Sequence, residues 1–161
     1  MADISHRNIK KNKKKAVHAL VKERMAKTAP KNEEYTEALG RRKTAVARVR
    51  LYPAKKNEVM VNGKSVDDYF GTDELRLKTL QALTIEEQTE YYVVSAYVKG
   101  SGPNAQAEAI RLGVARALVE IDETLRSPLK HRGYLKRDPR SVERKKFGLL
   151  KARKAPAWVK R

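Results

Sequence analysis

Cysteine is absent from this sequence of 161 residues. Without it there can be no disulfide, no thiolate zinc site and no cysteine nucleophile, and the composition fits a reducing compartment. No apolar run approaches the roughly 20 residues that a membrane-spanning helix needs, and the first residues lack the apolar segment of a secretory signal. We therefore expect neither a disulfide-stabilised domain nor a membrane-spanning one.

Acidic residues are scarce at both ends of the chain, whose formal charge is +18. Residues 1–31 contain ten basic and two acidic side chains, and residues 130–161 contain thirteen basic and two acidic ones. The region between them is near neutral, with 14 basic and 15 acidic side chains. This layout is typical of a folded body with polyanion-binding extensions. We assign 1–34 to a basic N-terminal extension, 35–129 to the body and 130–161 to an extended basic tail.

Groups that could carry out catalysis are also scarce. The histidines (His6, His18 and His131) lie far apart, without metal-ligand spacing or a Ser/His/Asp signature. Gly100-Ser101-Gly102 precedes a predicted helix and could bind an anion, but it lacks the Lys and Ser/Thr of a phosphate-binding loop, which favours a structural turn. We expect no enzyme activity, no metal and no cofactor.

Local patterns predict an α+β body with one main sheet. Arg48 and Arg50 alternate with apolar residues in a predicted strand over residues 44–51, and a second strand over 58–61 would complete a hairpin. Residues 91–98 are rich in β-branched and aromatic side chains, which predicts a central strand. The predicted element order is β-β-α-β-α.

Turn and cap signals divide these elements. Asn62-Gly63 predicts a turn, because both residues tolerate positive φ. Ser65 would cap a helix with Asp68 reaching back, so Asp67-Asp68 is interpreted as cap and first-turn charge rather than as a metal site. Helices are predicted over 73–83 and 104–125, and the second has apolar rows on two opposite sides.

The basic extensions lack a core-forming pattern. Tyr134, Leu135 and the other apolar residues of the tail are spaced too irregularly to bury a core of their own, so the tail should be extended, with few contacts to the body. Trp158 could stack on a base or ribose, or fill a protein groove. In the N-terminal extension, the apolar stripe from Val17 to Met25 fits either a short amphipathic helix formed on contact or a disordered arm.

Arg and Lys are abundant and arranged for phosphate. The cluster Arg41-Arg42-Lys43 precedes the strand that carries Arg48 and Arg50, and no acidic residue lies within 40–51 to neutralise it. Arg binds phosphate through a rigid fork of donors, and Lys binds it as a mobile point charge. Nucleic acid is the expected partner, since each neutralised phosphate releases condensed counterions. Spacing alone does not choose between RNA and DNA.

A series of motifs supplies a second line of inference. In chain order they are Gly40-Arg-Arg-Lys-Thr-Ala-Val-Ala-Arg-Val49, Val61-Asn-Gly-Lys-Ser65 with Tyr69-Phe70, Gln106-Ala107 with Ala109-Ile110-Arg111, Gly113-Val-Ala-Arg-Ala-Leu118, Arg137-Asp-Pro-Arg140, Val142-Glu-Arg-Lys-Lys146 with Gly148, Lys151-Ala-Arg-Lys-Ala-Pro156 and Lys160-Arg161. Together they resemble the small-subunit ribosomal protein S-nine family of bacterial or organellar type. The resemblance covers about residues 35–161 and is most specific in the tail.

The resemblance implies a fold, a location and partners. The fold is an α+β body like the second domain of ribosomal protein S-five, with a left-handed βαβ crossover. The location is the head of the small subunit, on the 3′ major domain of its rRNA and beside other head proteins, in a cytoplasmic rather than an organellar ribosome. The tail would thread through the rRNA, and Arg161 first and Lys160 second would contact the anticodon stem-loop of peptidyl-site tRNA. No membrane and no small-molecule substrate are implied.

The candidate rRNA contacts are basic side chains of the body and the tail. They are Arg41, Arg42, Lys43, Arg48, Arg50, Arg111, Lys130, Arg132, Lys136, Arg137, Arg140, Arg144, Lys145, Lys146, Lys151, Arg153 and Lys154. Three features depart from the family pattern: Asn104-Ala105 and Glu108 stand where Ser-Gly and Gly are usual, Trp158-Val159 replaces Phe-Ser, and residues 1–34 precede the common start.

Two other functions fit parts of the sequence. A DNA-compacting protein would have a similar composition, but a near-neutral body with one threaded tail does not suit it, and RNase sensitivity of the native particle would discriminate. A phosphotransfer enzyme could use the glycine loop at 100–102, but no base, nucleophile or metal ligand accompanies that loop. A nucleotide-binding assay would test it.

Overall fold

The computed structural model describes residues 34–85 and 90–158, and its centre is a mixed five-stranded sheet. The strands are β1 (Thr36–Arg42), β2 (Ala45–Ala54), β3 (Glu58–Val61), β4 (Lys64–Ser65) and β5 (Tyr91–Lys99). The helices are α1 (Val66–Tyr69), α2 (Asp73–Leu80), α3 (Pro103–Ile121) and α4 (Arg126–His131), with a 3₁₀-helix at Glu123–Leu125. The predicted α+β class is confirmed, while the apolar stripe from Val17 to Met25 lies outside the described residues.

The strand order is β1-β2-β5-β3-β4, so β5 is central, as predicted. The predicted hairpin between the second and third strands is wrong, because β5 lies between them and pairs antiparallel with β2 and parallel with β3. The partner of β2 on its other side is β1, a strand that the sequence patterns missed. The parallel β3–β5 pair is connected through α1 and α2, as a crossover requires. The left hand of this crossover stays a prediction.

The turn at Asn62-Gly63 is confirmed. Both residues have positive φ, 48° and 77°, and they join β3 to β4. The Asn62 side chain also exchanges two 2.9 Å hydrogen bonds with the backbone N–H and C=O of Val98. Next along the chain, the Ser65 hydroxyl accepts a hydrogen bond from the Asp68 N–H at 3.1 Å and caps α1, as predicted.

The core lies between one face of the sheet and α3. Alternate residues of β2 are fully buried on that face, while both predicted apolar rows of α3 contain buried residues. Ile121 is exposed and is the last residue of α3, which ends short of the predicted end at residue 125. The Asp122 carboxylate accepts a hydrogen bond from the Thr124 N–H and caps the 3₁₀-helix instead. α2 likewise ends at Leu80, earlier than predicted.

β1 and α3 touch backbone to backbone at Gly40. A Cβ added there would lie 1.8 Å from the carbonyl oxygen of Ala109 and 2.7 Å from the nitrogen of Gly113. The Arg116 guanidinium donates to the Leu39 carbonyl at 2.8 Å and closes the same contact. The end of β1 is therefore held against α3.

The first residues of the tail pack on the body. α4 crosses the predicted boundary at residue 129, and Pro128 lies in its first turn, where a helix does not use the N–H. Leu129 is fully buried, and Tyr134 and Leu135 pack partly buried against the core. The expectation of few contacts between tail and body is therefore wrong for Tyr134 and Leu135, which pack on the existing core and form none of their own. Residues 141–158 are almost entirely exposed.

Candidate RNA interface

The helices cover one face of the sheet, and we call the opposite side the outer face. Its side chains come from alternate positions of the strands, as strand geometry requires. They are Glu37, Leu39 and Arg41 of β1, Val46, Arg48, Arg50, Tyr52 and Ala54 of β2, Glu58 and Met60 of β3, and Tyr91, Val93, Ser95, Tyr97 and Lys99 of β5. The predicted basic face of β2 is thereby confirmed.

The register aligns these side chains in rows across the sheet. Arg48 lies between Leu39 and Tyr97, and its guanidinium carbon is 5.9 Å from the centre of the Tyr97 ring. In the next row, Arg41 and Lys99 flank Val46. Among the described residues, none forms an ion pair with any of these three cations. They are available to a polyanion.

Lys43 and Arg50 also belong to this basic surface, but their environments differ. Lys43 is exposed in the turn between β1 and β2, where its φ is 50°. Arg50 donates to Glu37 at 2.6 Å and lies 4.7 Å from the centre of the Tyr35 ring. The hydrogen bond to Glu37 raises the pKa of Arg50 above its ordinary value. The acid that neutralises Arg50 comes from the neighbouring strand. The absence of acids within 40–51 therefore did not predict that Arg50 is paired.

Arg42 does not belong to the exposed surface, which corrects the prediction from sequence. It is 8% exposed and lies on the helix-covered face of β1, like Gly40. Its guanidinium pairs with Glu108 of α3 at 2.5 Å and with Asp138 of the tail at 3.0 Å. It also donates to the Arg140 carbonyl oxygen. We call this set the Arg42 cluster, and it joins the tail to the body.

Asp138 stays ionised throughout the physiological pH range. Hydrogen bonds from the Arg140 side chain and backbone lower the pKa of Asp138 to about 2, and the charge of Arg42 contributes less. A carboxyl whose pKa is depressed in the folded state stabilises that state above its ordinary pKa, and this contribution is lost as the pH falls towards 2. The pair between Arg42 and Asp138 is therefore insensitive to pH near neutrality.

Arg111 makes a second link between the body and the tail. It projects from α3, donates to the Gln81 side chain at 2.7 Å, and lies 4.9 Å from the centre of the Tyr134 ring. A cation over an aromatic face at this distance is attractive. Arg111 was predicted to contact rRNA, but the structure places it between α2, α3 and the tail.

The predicted basic residues of the tail are exposed. They are Lys130, Arg132, Lys136, Arg137, Arg140, Arg144, Lys145, Lys146, Lys151, Arg153 and Lys154. Glu143 pairs with Lys146 at 2.9 Å and Arg153 at 2.8 Å, and these hydrogen bonds lower its pKa. Trp158 is exposed too. The predicted tRNA contacts, Lys160 and Arg161, lie outside the described residues.

Residues 34–85 and 90–158 contain no group of three or more His, Asp or Glu side chains placed to hold a metal ion. No helix within those ranges is long and apolar enough to cross a membrane. At the glycine loop, Gly100 and Ser101 have positive φ, and the Gln106 side chain donates to the Gly100 carbonyl at 3.1 Å. This hydrogen bonding fits the predicted structural turn.

Sequence reasoning missed four residues that shape this interface. Tyr97 lies in the predicted central strand over 91–98 and Lys99 follows it, but only the register of β5 with β2 places both on the same face as Arg48. Glu108 and Asp138 are far from Arg42 in sequence. The sequence did mark Glu108 as unusual, because it stands where the S-nine family, whose motifs the sequence resembles, usually has glycine.

One comparison covers both the body and the tail. The model of a family described as ribosomal protein S9/S16 matches residues 40–161, from the end of β1 through the tail.

Proposed function

The chain belongs to the ribosomal protein S9/S16 family, and we propose from this premise that it binds rRNA in the head of the small ribosomal subunit. Family membership makes it a structural RNA-binding protein of the small subunit that serves translation. The proposal adds three points: the rRNA region is the 3′ major domain, the ribosome is cytoplasmic, and the chain contributes binding rather than catalysis. Other head proteins would be its neighbours.

The exposure of the tail cations is the observation that carries the proposal. Every Lys and Arg from residue 130 to 154 is exposed, and two carboxylates, Asp138 and Glu143, lie among them. Like charges at this density repel one another in water. Binding along a phosphate backbone relieves that repulsion and releases counterions.

The body would add a second contact surface. Arg41, Lys43 and Arg48 are exposed on or beside the outer face, and Arg50 adds a charge that Glu37 partly neutralises. Arg42 and Arg111 act differently in this proposal, because their guanidinium groups are engaged within the protein. They would position the tail for RNA rather than contact RNA themselves.

A salt titration tests rRNA binding by the tail. We expect the full chain to prefer the 3′ domain of small-subunit rRNA to duplex DNA of equal length. Changing Arg144 and Lys145 to Gln should lower the salt slope by up to ~1.4, since each lost phosphate contact removes ~0.7. Changing Lys55 and Lys56 to Gln removes the same charge from the exposed turn after β2 and should leave the slope unchanged.

Two outcomes of this titration would count against the proposal. Equal affinity for rRNA and DNA would favour a general DNA-compacting protein. Equal salt slopes for the tail variant and the turn variant would show that net charge, rather than the tail, determines binding.

The proposal also assigns Arg161 and Lys160 to the anticodon stem-loop of peptidyl-site tRNA. Changing both to Gln should weaken tRNA binding to reconstituted subunits by about fivefold, because a net hydrogen bond is worth ~1 kcal/mol. rRNA assembly should survive, since eleven other tail cations remain. The matched control, Lys151 and Lys154 to Gln, should leave tRNA affinity unchanged. Equal tRNA affinity and reading-frame maintenance in both variants would remove the tRNA contact from the proposal and leave the rRNA contacts standing.

A further inference from the structure

The outer face carries more apolar surface than a sheet open to water requires. Tyr97 is 59% exposed, Leu39 46% and Val46 40%, and all three lie in the two adjacent rows that contain Arg41, Arg48 and Lys99. A solvated sheet face normally presents polar side chains. An apolar patch surrounded by cations indicates that something covers this face.

We propose that this face binds an unpaired rRNA base, which stacks on the Tyr97 ring while Arg41, Arg48 and Lys99 contact the flanking phosphates. The inference rests on the proposed function and specifies which part of the RNA the body recognises. Sequence-tolerant recognition of single-stranded RNA combines aromatic rings for the bases with cations along the backbone.

The geometry leaves the Tyr97 ring accessible. Arg48 lies 5.9 Å from its centre, near the ~6 Å limit of a cation–π contact. Neighbouring strands are about 4.8 Å apart, and successive rows on one face are about 6.7 Å apart. Arg48 is therefore one strand from the ring and Lys99 one row from it, within reach of the phosphates that flank a stacked base. Arg41 lies one row and two strands away, where a phosphate further along the backbone could reach it.

The charge of the face favours RNA over a protein partner. Two carboxylates lie on it: Glu37, which is paired with Arg50, and Glu58, which lies two rows from Tyr97 on β3. The rows around Tyr97 carry three cations without an acidic partner among the described residues. A protein would have to supply matching acids, whereas RNA supplies both the anions and the flat apolar surface.

The test separates stacking from charge. We expect Tyr97→Ala to weaken binding of the full chain to the 3′ domain rRNA about 5- to 100-fold, with the salt slope unchanged because no charge is lost. Tyr97→Phe should bind as the unchanged protein does. Arg48→Gln should lower the slope by about 0.7. The control is Tyr91→Ala, because Tyr91 is 54% exposed on the same strand and the same face but three rows away.

Chemical probing of the bound rRNA supplies a direct readout. One base should be protected by the unchanged protein and by Tyr97→Phe, and exposed again with Tyr97→Ala. Equal affinities for Tyr97→Ala and Tyr91→Ala would overturn this inference without touching the proposed function. The inference would also be overturned if Tyr97→Ala kept its rRNA affinity but subunits reconstituted with it lacked a neighbouring protein. Failure of the unchanged protein to prefer rRNA would instead overturn the proposed function.

Discussion

Gly40→Ala should lower the free energy of unfolding by about 3 kcal/mol or more, the largest single effect we expect. The added Cβ would lie 1.8 Å from the Ala109 carbonyl oxygen. The backbone fixes the positions of both atoms, so no side-chain rotation can relieve the clash. β1 would have to separate from α3, which also breaks the hydrogen bond from Arg116 to the Leu39 carbonyl.

Urea unfolding followed by circular dichroism measures this effect. Gly71→Ala is the matched control, because a Cβ at Gly71 meets no atom within 4 Å. If the two variants unfold at the same urea concentration, β1 does not lie against α3 as described.

Arg42→Met should release the start of the tail from the body, the second large effect. The variant loses the pairs with Glu108 and Asp138 and the hydrogen bond to the Arg140 carbonyl. Breaking a fully buried ion pair costs about 3–5 kcal/mol. The partner carboxylates here are 26% and 30% exposed and can be rehydrated, so about 2 kcal/mol is expected.

Limited trypsin digestion measures the release of the tail from the body. Cleavage after Lys136 and Arg137 should be faster in Arg42→Met, because cleavage tracks the population of the open form. Arg41→Met is the control, since Arg41 is the adjacent cation and is exposed on the outer face. Arg42→Lys should not restore protection, because an ammonium cannot reproduce the planar fork of donors. Equal cleavage rates in Arg42→Met and Arg41→Met would show that the cluster does not hold the tail.

Elements determined by neighbouring residues were predictable from sequence. The Asn62-Gly63 turn, the Ser65 cap and β5 each depend on a few adjacent side chains, and all three were correct. The pairing of β2 was not predictable in the same way. β2 and β3 are separated by a short turn and read as a hairpin, yet β5 inserts between them from about 30 residues further along the chain. Strand pairing over that separation leaves no local pattern.

The same distinction applies to the candidate interface. Alternation along β2 correctly placed Arg48 and Arg50 on one face. Arg42 was placed wrongly because its neutralising acids, Glu108 and Asp138, lie 66 and 96 residues away and meet it only in the folded chain. Charge counting within a sequence window therefore finds basic segments, while tertiary contacts decide which cations remain free for RNA.

The position of β5 in the strand order also has a consequence for synthesis. A nascent chain that ends after α2 has β2 and β3 but not the strand that joins them, so both present open edges. At about 5–20 residues per second, a ribosome needs about 2–8 s to extend the chain from the end of β3 to the end of β5. Only then can the sheet close, and α3 and the tail follow. Translation thus delivers the basic tail after the body that holds its first residues.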